Sequence, residues 1–313
     1  MPAKKSCDRQ IFCTYGYDGL FSFIYSPVTL INMNIKIIAA LIILTSFGSA
    51  VWNMFVKDAG NRLVFVTLMT LPQLVIALII ILFVPHPALQ TMHYLLASAF
   101  LHTIYIVFLS YAYEKSMLSR VYPLAVGAAS LFALAFWYLF FKKHLSFFGD
   151  LGVILLSLSV ISLTFIKNRS TEFINPRAIW FALGTSIFIF GYAQMDTFGV
   201  KTVSNVLTYI AYLFAIKAFI LIIPMLLLHK INWQIVNTDK IKYIISGILA
   251  FLGYGVAVLA FVYTPTPVVL ALRSTAIIFV LIISIFILKE KASLRLVTLT
   301  LATAIGVFLI LRG

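Results

Sequence analysis

Few residues in this chain are suited to chemistry, and they stand in apolar surroundings. Lys217 falls near the middle of an apolar run over 206–228. Arg273 lies just after Thr264-Pro265-Thr266-Pro267, Asp196 near the end of the run 178–198, and His102 midway along 92–113. If these runs cross a bilayer, each ionisable group costs about 3 kcal/mol to place there, so each needs a partner or a task. Lys217 fits an anion-binding or charge-compensating lysine, or one half of a structural ion pair with Asp196. Arg273 can clamp a carboxylate or phosphate with its two-pronged guanidinium, or snorkel to headgroups. Asp196, a carboxylate in a low-dielectric setting, suits proton coupling, or else caps a helix or pairs with Lys201. His102 suits a proton relay, or a hydrogen bond between helices.

Uncharged groups complete the set. Trp52 and Asn53 near the end of the first run, with Gln194, Tyr122 and Tyr192, can shape a polar pocket; a tryptophan there could equally belong to an interfacial belt. No metal site is expected, since Cys7 and Cys13 both lie in the N-terminal tail without ligand spacing. No cofactor is expected either: a phosphate loop is missing, and Gly253-x-Gly255 sits inside a helical run with no strand before it. His86 and His93 flank a loop without acidic partners, which argues against an integral-membrane lipid enzyme. The chain is not expected to be an enzyme.

What must position these residues is a bundle of membrane helices. The chain is 63% hydrophobic and 10% charged, against roughly 25% charged in soluble proteins. Ten stretches are long enough to span, near 36–55, 63–84, 92–113, 119–141, 148–166, 178–198, 206–228, 241–263, 268–288 and 293–311. They lack the alternation of barrel strands. The chain also repeats itself. Ser119-Arg120-Val121-Tyr122-Pro123 leads into an apolar run that ends at Lys142-Lys143-His144-Leu145-Ser146. About 147 residues later, Thr266-Pro267-Val268-Val269-Leu270 leads into one that ends at Lys289-Glu290-Lys291-Ala292-Ser293.

The polar stretch Lys167 to Arg177 divides the runs into two groups of five, so a duplicated unit must sit upside down relative to its twin. The expected fold is an all-α polytopic membrane protein of ten transmembrane helices in two inverted five-helix repeats, 35–168 and 169–313. The tail 1–34 is expected to be disordered, or to precede a true start at Met33. The net charge of +14 is spread over short loops, where it anchors helix ends, rather than over a nucleic-acid-binding face. With Lys217 and Arg273 set aside, the face carrying the termini holds eight Lys and Arg and the opposite face thirteen, which favours termini outside.

Several segments resemble EamA-type proteins of the drug/metabolite transporter superfamily. Ser49-Ala50-Val51-Trp52-Asn53 through Lys57 is similar to the family's His-Ala-x-Trp-Asn-x-x-x-Lys. Tyr192 through Asp196, Gly199 and Lys201 is similar to its Tyr-x-x-x-Asp-x-x-Gly-x-Arg. Tyr111-Ala112-Tyr113 through Ser119 to Ala125, and Leu270 to Ser274, resemble two further segments, so the likeness runs from about residue 35 to the C-terminus. The chain departs at Ser49, where the family has histidine, at Val126 in place of arginine, and at Ser274 in place of an acid. Lys142-Lys143 replaces the Gly-Glu that ends the fourth run, 119–141.

The resemblance implies termini inside, against the charge count, and a secondary transporter with a cavity shaped by Trp52 and Asn53. The resulting expectation is alternating-access transport of a small anionic or zwitterionic metabolite by a permease, exporter or exchanger. Lys217 and Arg273 would bind it, with protons or a counter-substrate coupled through Asp196 and His102. Membrane lipids are the surroundings, the chain is a monomer or homodimer, and its Ile, Lys and Phe richness points to a bacterial inner membrane. The rival expectation is a non-transporting subunit or lipid-flippase partner.

Overall fold

A computed structural model describes residues 34–116, 118–165, 175–228, 239–286 and 294–312. The N-terminal tail with Cys7 and Cys13, the core of the polar divider and the clip Lys289–Ser293 lie outside the described residues.

The described chain is helical: α1 (Ile35–Asp58), α2 (Arg62–Leu68), α3 (Thr70–Ile81), α4 (Leu89–Lys115), α5 (Leu118–Phe141), α6 (Phe147–Leu163), α7 (Pro176–Gly199), α8 (Val206–Leu227), α9 (Lys240–Tyr263), α10 (Thr266–Ser274), α11 (Ala276–Phe286) and α12 (Leu294–Arg312). Their starts are written locally. Asn34, Asn61, Asn175 and Asn205 each accept a backbone N–H at the first turn of α1, α2, α7 and α8, and Ser146 does so for α6. Pro176 opens α7, where its missing N–H costs nothing.

Among the described residues, seven helices are long and apolar enough to cross a membrane. They are Ile35–Asp58, Arg62–Ile81 (α2 and α3 together), Leu89–Lys115, Arg120–Phe141, Pro176–Thr202, Val206–Leu227 and Lys240–Tyr263. The other three expected stretches are apolar helices too, but shorter: Phe147–Leu163, Thr266–Val280 and Val297–Arg312. Every expected run is therefore an apolar helix, and seven of them carry the length of a span. Large apolar side chains face outward, Phe83 at 82% and Leu82 at 79% exposure among them, as they would toward lipid. Many hydroxyls bond within their own helix, as Ser46 does to the Ile42 carbonyl (2.8 Å) and Thr185 to that of Phe181 (2.7 Å).

The packing follows a regular scheme. α1 packs on α9 and α4 on α7; α5 packs on α7, and α1 on α10 and α11; α4 packs on α8 and α3 on α9. Three further pairs are α3 with α8, α5 with α10, and α6 with α12. Gly247 permits the α3–α9 approach: a Cβ there would collide with the Pro72 ring and the Met69 carbonyl.

Two apolar helices are interrupted, each at a single residue that keeps helical dihedrals. The first breaks between α2 and α3 at Met69, where Thr70 Oγ1 donates to the Thr67 carbonyl (2.6 Å). The second breaks between α10 and α11 at Thr275, where Ser274 and Thr275 hydroxyls donate to the Ala271 (2.7 Å) and Leu272 (2.6 Å) carbonyls. Both breaks border the same cavity.

One departure from the family pattern has a backbone consequence. Lys142, where the pattern has glycine, takes φ 50° as the chain leaves α5. That is the left-handed region, in which a side chain costs about 1 kcal/mol and glycine costs nothing.

Candidate functional site

The central cavity is built from seven helices. Ser49 and Trp52 come from α1, Thr70 and Gln73 from α3, and His102, Thr103, Tyr105 and Ile106 from α4. Tyr192 comes from α7, Lys217 and Leu221 from α8, Ala250 and Tyr254 from α9, and Arg273 from α10, with Met69 at the first helix break. About 50 Å³ of it is open to a water-sized molecule. Among the described residues, two cations line it and no carboxylate does.

Aromatic faces hold the cations in place. Lys217 Nζ stands 4.0 Å from the centre of the Phe214 ring, and the Arg273 guanidinium 4.8 Å from that of Tyr254. Among the described residues no carboxylate lies within ion-pair distance of either cation. The expected alternative, a structural pair between Lys217 and Asp196, is therefore not formed in this state.

Asp196 lies behind the cavity wall, fully buried. Its Oδ1 accepts from the Tyr209 hydroxyl (2.8 Å), and its Oδ2 from the Tyr254 hydroxyl in a short contact. Hydrogen bonds to an ionised acceptor are about twice as strong as neutral ones, which is how a buried carboxylate is tolerated. Gly199, one turn on, makes this possible: a Cβ there would stand 2.6 Å from the Tyr209 hydroxyl oxygen.

His102 joins this group to the cavity. Its Nε2 is 3.8 Å from Asp196 Oδ2, beyond direct hydrogen-bond length. Its ring stacks on Tyr192 at 3.6 Å between centres and 17° between planes, and meets Tyr254 edge-on at 4.6 Å. A proton reaching Asp196 from the cavity would pass His102 or the Tyr254 hydroxyl.

The structure thus gathers Lys217, Arg273, Trp52, Tyr192 and His102 at one cavity, with Asp196 one side chain behind. Asn53, Gln194 and Tyr122 are buried but are not among the lining residues. Asn53 is committed elsewhere: its Nδ2 donates to the Ser49 carbonyl (2.8 Å) and its Oδ1 accepts from the Tyr113 hydroxyl (2.7 Å). Lys57 in the same motif donates to the Tyr113 (2.6 Å) and Ser116 (2.7 Å) carbonyls, closing the end of α4. Glu114 and Lys115 form an exposed pair at 2.6 Å in the last turn of α4. His86 bonds the Tyr212 hydroxyl, tying the loop before α4 to α8.

Gln73 is the site residue that reasoning on charge alone misses. It is 1% exposed, and neither its Nε2 nor its Oε1 has a hydrogen-bond partner among the described residues. Such a group costs about 1–3 kcal/mol if nothing satisfies it. Its signal was a lone amide after Pro72 in an otherwise apolar run, the same anomaly that marks Lys217 without the charge.

No curated protein matches the chain. Twenty-four solved chains are similar to it. One of them, a crystal structure, covers 88% of this chain and 96% of its own at 12% identity and a TM-score of 0.67, a likeness of fold alone. Residues 176–312 match the EamA-like transporter family, part of the drug/metabolite transporter superfamily, and that match with the long apolar helices makes the chain an integral multi-pass membrane protein.

Proposed function

We propose that the chain is a secondary active transporter that moves a small anionic metabolite by alternating access. The carrying observation is the central cavity, which presents Lys217 and Arg273 and, among the described residues, no lining carboxylate. Of the anionic and zwitterionic substrates expected from sequence, that charge balance favours the anion. No catalytic role is assigned to any residue, and no metal or cofactor.

In this reading residues 35–168 and 169–313 form two inverted five-helix repeats, with the three shorter apolar helices completing ten spans. The packing scheme supports it. Exchanging each span of the first half with its counterpart in the second turns the α1–α9 pair into α7–α4. The same exchange turns α5–α7 into α10–α1 and α4–α8 into α9–α3, and maps α3–α8, α5–α10 and α6–α12 onto themselves. The breaks at Met69 and Thr275 let the cavity walls tilt without moving whole helices.

Arg273 and Lys217 hold the substrate anion, and Trp52 and Tyr192 form the walls. Asn53, Gln194 and Tyr122 support the cavity from behind. Asp196, reached through His102, takes up a proton or balances charge as the cavity changes sides. The setting is a bacterial inner membrane, with a monomer or homodimer as the working unit.

Uptake of a pooled metabolite mixture into proteoliposomes, read by mass spectrometry with and without a proton gradient, tests this. Gradient-dependent accumulation of an anion that is lost in Arg273→Ala and Lys217→Ala is the expected result. Unchanged transport in both variants would refute the anion site, and folded protein that takes up nothing would refute the transporter reading.

A further inference from the structure

We infer that Gln73 reads the substrate, and that the cavity takes a small monocarboxylate that also bears a carboxamide or hydroxyl group. The inference rests on the transporter reading above and deepens it. Gln73 offers one acceptor oxygen and two N–H donors, and both its polar atoms are without partners among the described residues. A native interior rarely leaves an amide in that condition; Gln194 shares it away from the cavity, and only Gln73 of the two stands where an entering molecule can complete it. Its place on the cavity wall, with Arg273 and Lys217, makes the transported molecule that partner.

The charge follows from the same group of residues. Lys217 and Arg273 are the two cations among the described lining residues, and the Asp196 carboxylate already stands behind Tyr254. A single carboxylate can face both cations, whereas a second would find no third cation among the described lining residues to meet it. The ligand therefore needs its carboxylate toward the cations and a neutral group that both donates and accepts toward Gln73. A site built to hydrogen-bond such a group rejects the analogue that lacks it, because the protein amide is then left unpaired again. The small volume favours a short chain.

Butyrate, succinamate and succinate form a matched four-carbon set that separates these demands. Binding to the purified full-length chain in detergent is read by quenching of tryptophan fluorescence, since Trp52 lines the cavity, and by the shift in melting temperature. Succinamate is expected to bind about tenfold more tightly than butyrate, with succinate no better than succinamate. Gln73→Met, close in shape, removes the succinamate preference and leaves butyrate affinity within about threefold, as expected when only the amide pairing is lost. Gln73→Asn, which keeps the amide but withdraws it by one carbon, gives an intermediate preference and covers the case in which Gln73→Met does not fold.

Equal binding of all three probes by the wild type would overturn the role of Gln73 and leave the anion site standing. A preference that survives Gln73→Met would do the same, and would mean that the amide is met by a structural water. No binding of any probe would overturn both readings together.

Discussion

The two halves of the chain each lock a pair of helices, with different chemistry. Between α1 and α4, in the first half, the Tyr113 hydroxyl donates to Asn53, a neutral amide whose own N–H is already given to the Ser49 carbonyl. Between α7 and α9, in the second half, the Tyr254 hydroxyl donates to Asp196, which also draws in Tyr209 and has His102 nearby. The first lock is complete and uncharged. The second holds an ionisable group one side chain from the cavity, so what it binds can change with protonation. The difference separates a contact that only has to hold from one that can also respond.

The largest effect is expected from making the second lock resemble the first. Asp196→Asn removes the group that can respond while keeping an acceptor for the tyrosine hydroxyls. Gradient-driven accumulation in proteoliposomes should fall at least tenfold, while exchange of internal for external substrate continues, as expected when coupling rather than binding is lost. Accumulation that persists in Asp196→Asn would remove Asp196 from coupling and make the two locks equivalent.

The reverse exchange tests the first lock. Asn53→Asp buries a carboxylate that keeps the Tyr113 donor but faces the Ser49 carbonyl with no proton to offer. A loss of about 3 kcal/mol is expected, read as a lower melting temperature in detergent. A variant as stable as the wild type would show that the first half also accommodates charge there.

The two tyrosines give a finer comparison. Tyr254→Phe removes a donor to a charged acceptor and should cost about 1.5–3 kcal/mol. Tyr113→Phe removes a donor to a neutral one and should cost about 0.5–1.5 kcal/mol. Equal losses in the melting curves would mean that Asp196 is protonated in the resting protein.

How far the sequence revealed this depends on what each residue is doing. Lys217 and Arg273 were legible because a charge in an apolar run is conspicuous, and their shared cavity confirmed neither role but did place them together. Trp52 was legible by motif, yet Asn53 beside it points into a helix contact, because adjacent residues on a helix face 100° apart. The pairing of Asp196 with Tyr209 and Tyr254 was not legible, since it joins three helices across 13 and 58 residues of chain. Gln73 escaped because an amide costs less than a charge and stands out less. The helical runs could be read from hydropathy alone, whereas the breaks at Met69 and Thr275 depend on side-chain hydroxyls bonding local carbonyls, which composition does not register.

The smallest effect concerns the clips that end each half's long repeat. In the first half the clip turns at Lys142, whose φ of 50° suits the glycine of the family pattern. Lys142→Gly should relieve about 1 kcal/mol of backbone strain and return part of it through the freer unfolded chain, for a net gain of about 0.5 kcal/mol. Lys142→Ala separates backbone from charge: it removes the ammonium but keeps the Cβ, so it should not stabilise. If both variants melt higher by the same amount, the strain argument fails and the gain belongs to the lost charge beside Lys143. If only glycine gains, the first half has kept a turn built for glycine while carrying a lysine in it, and the cost of that substitution is local to α5 rather than spread through the bundle.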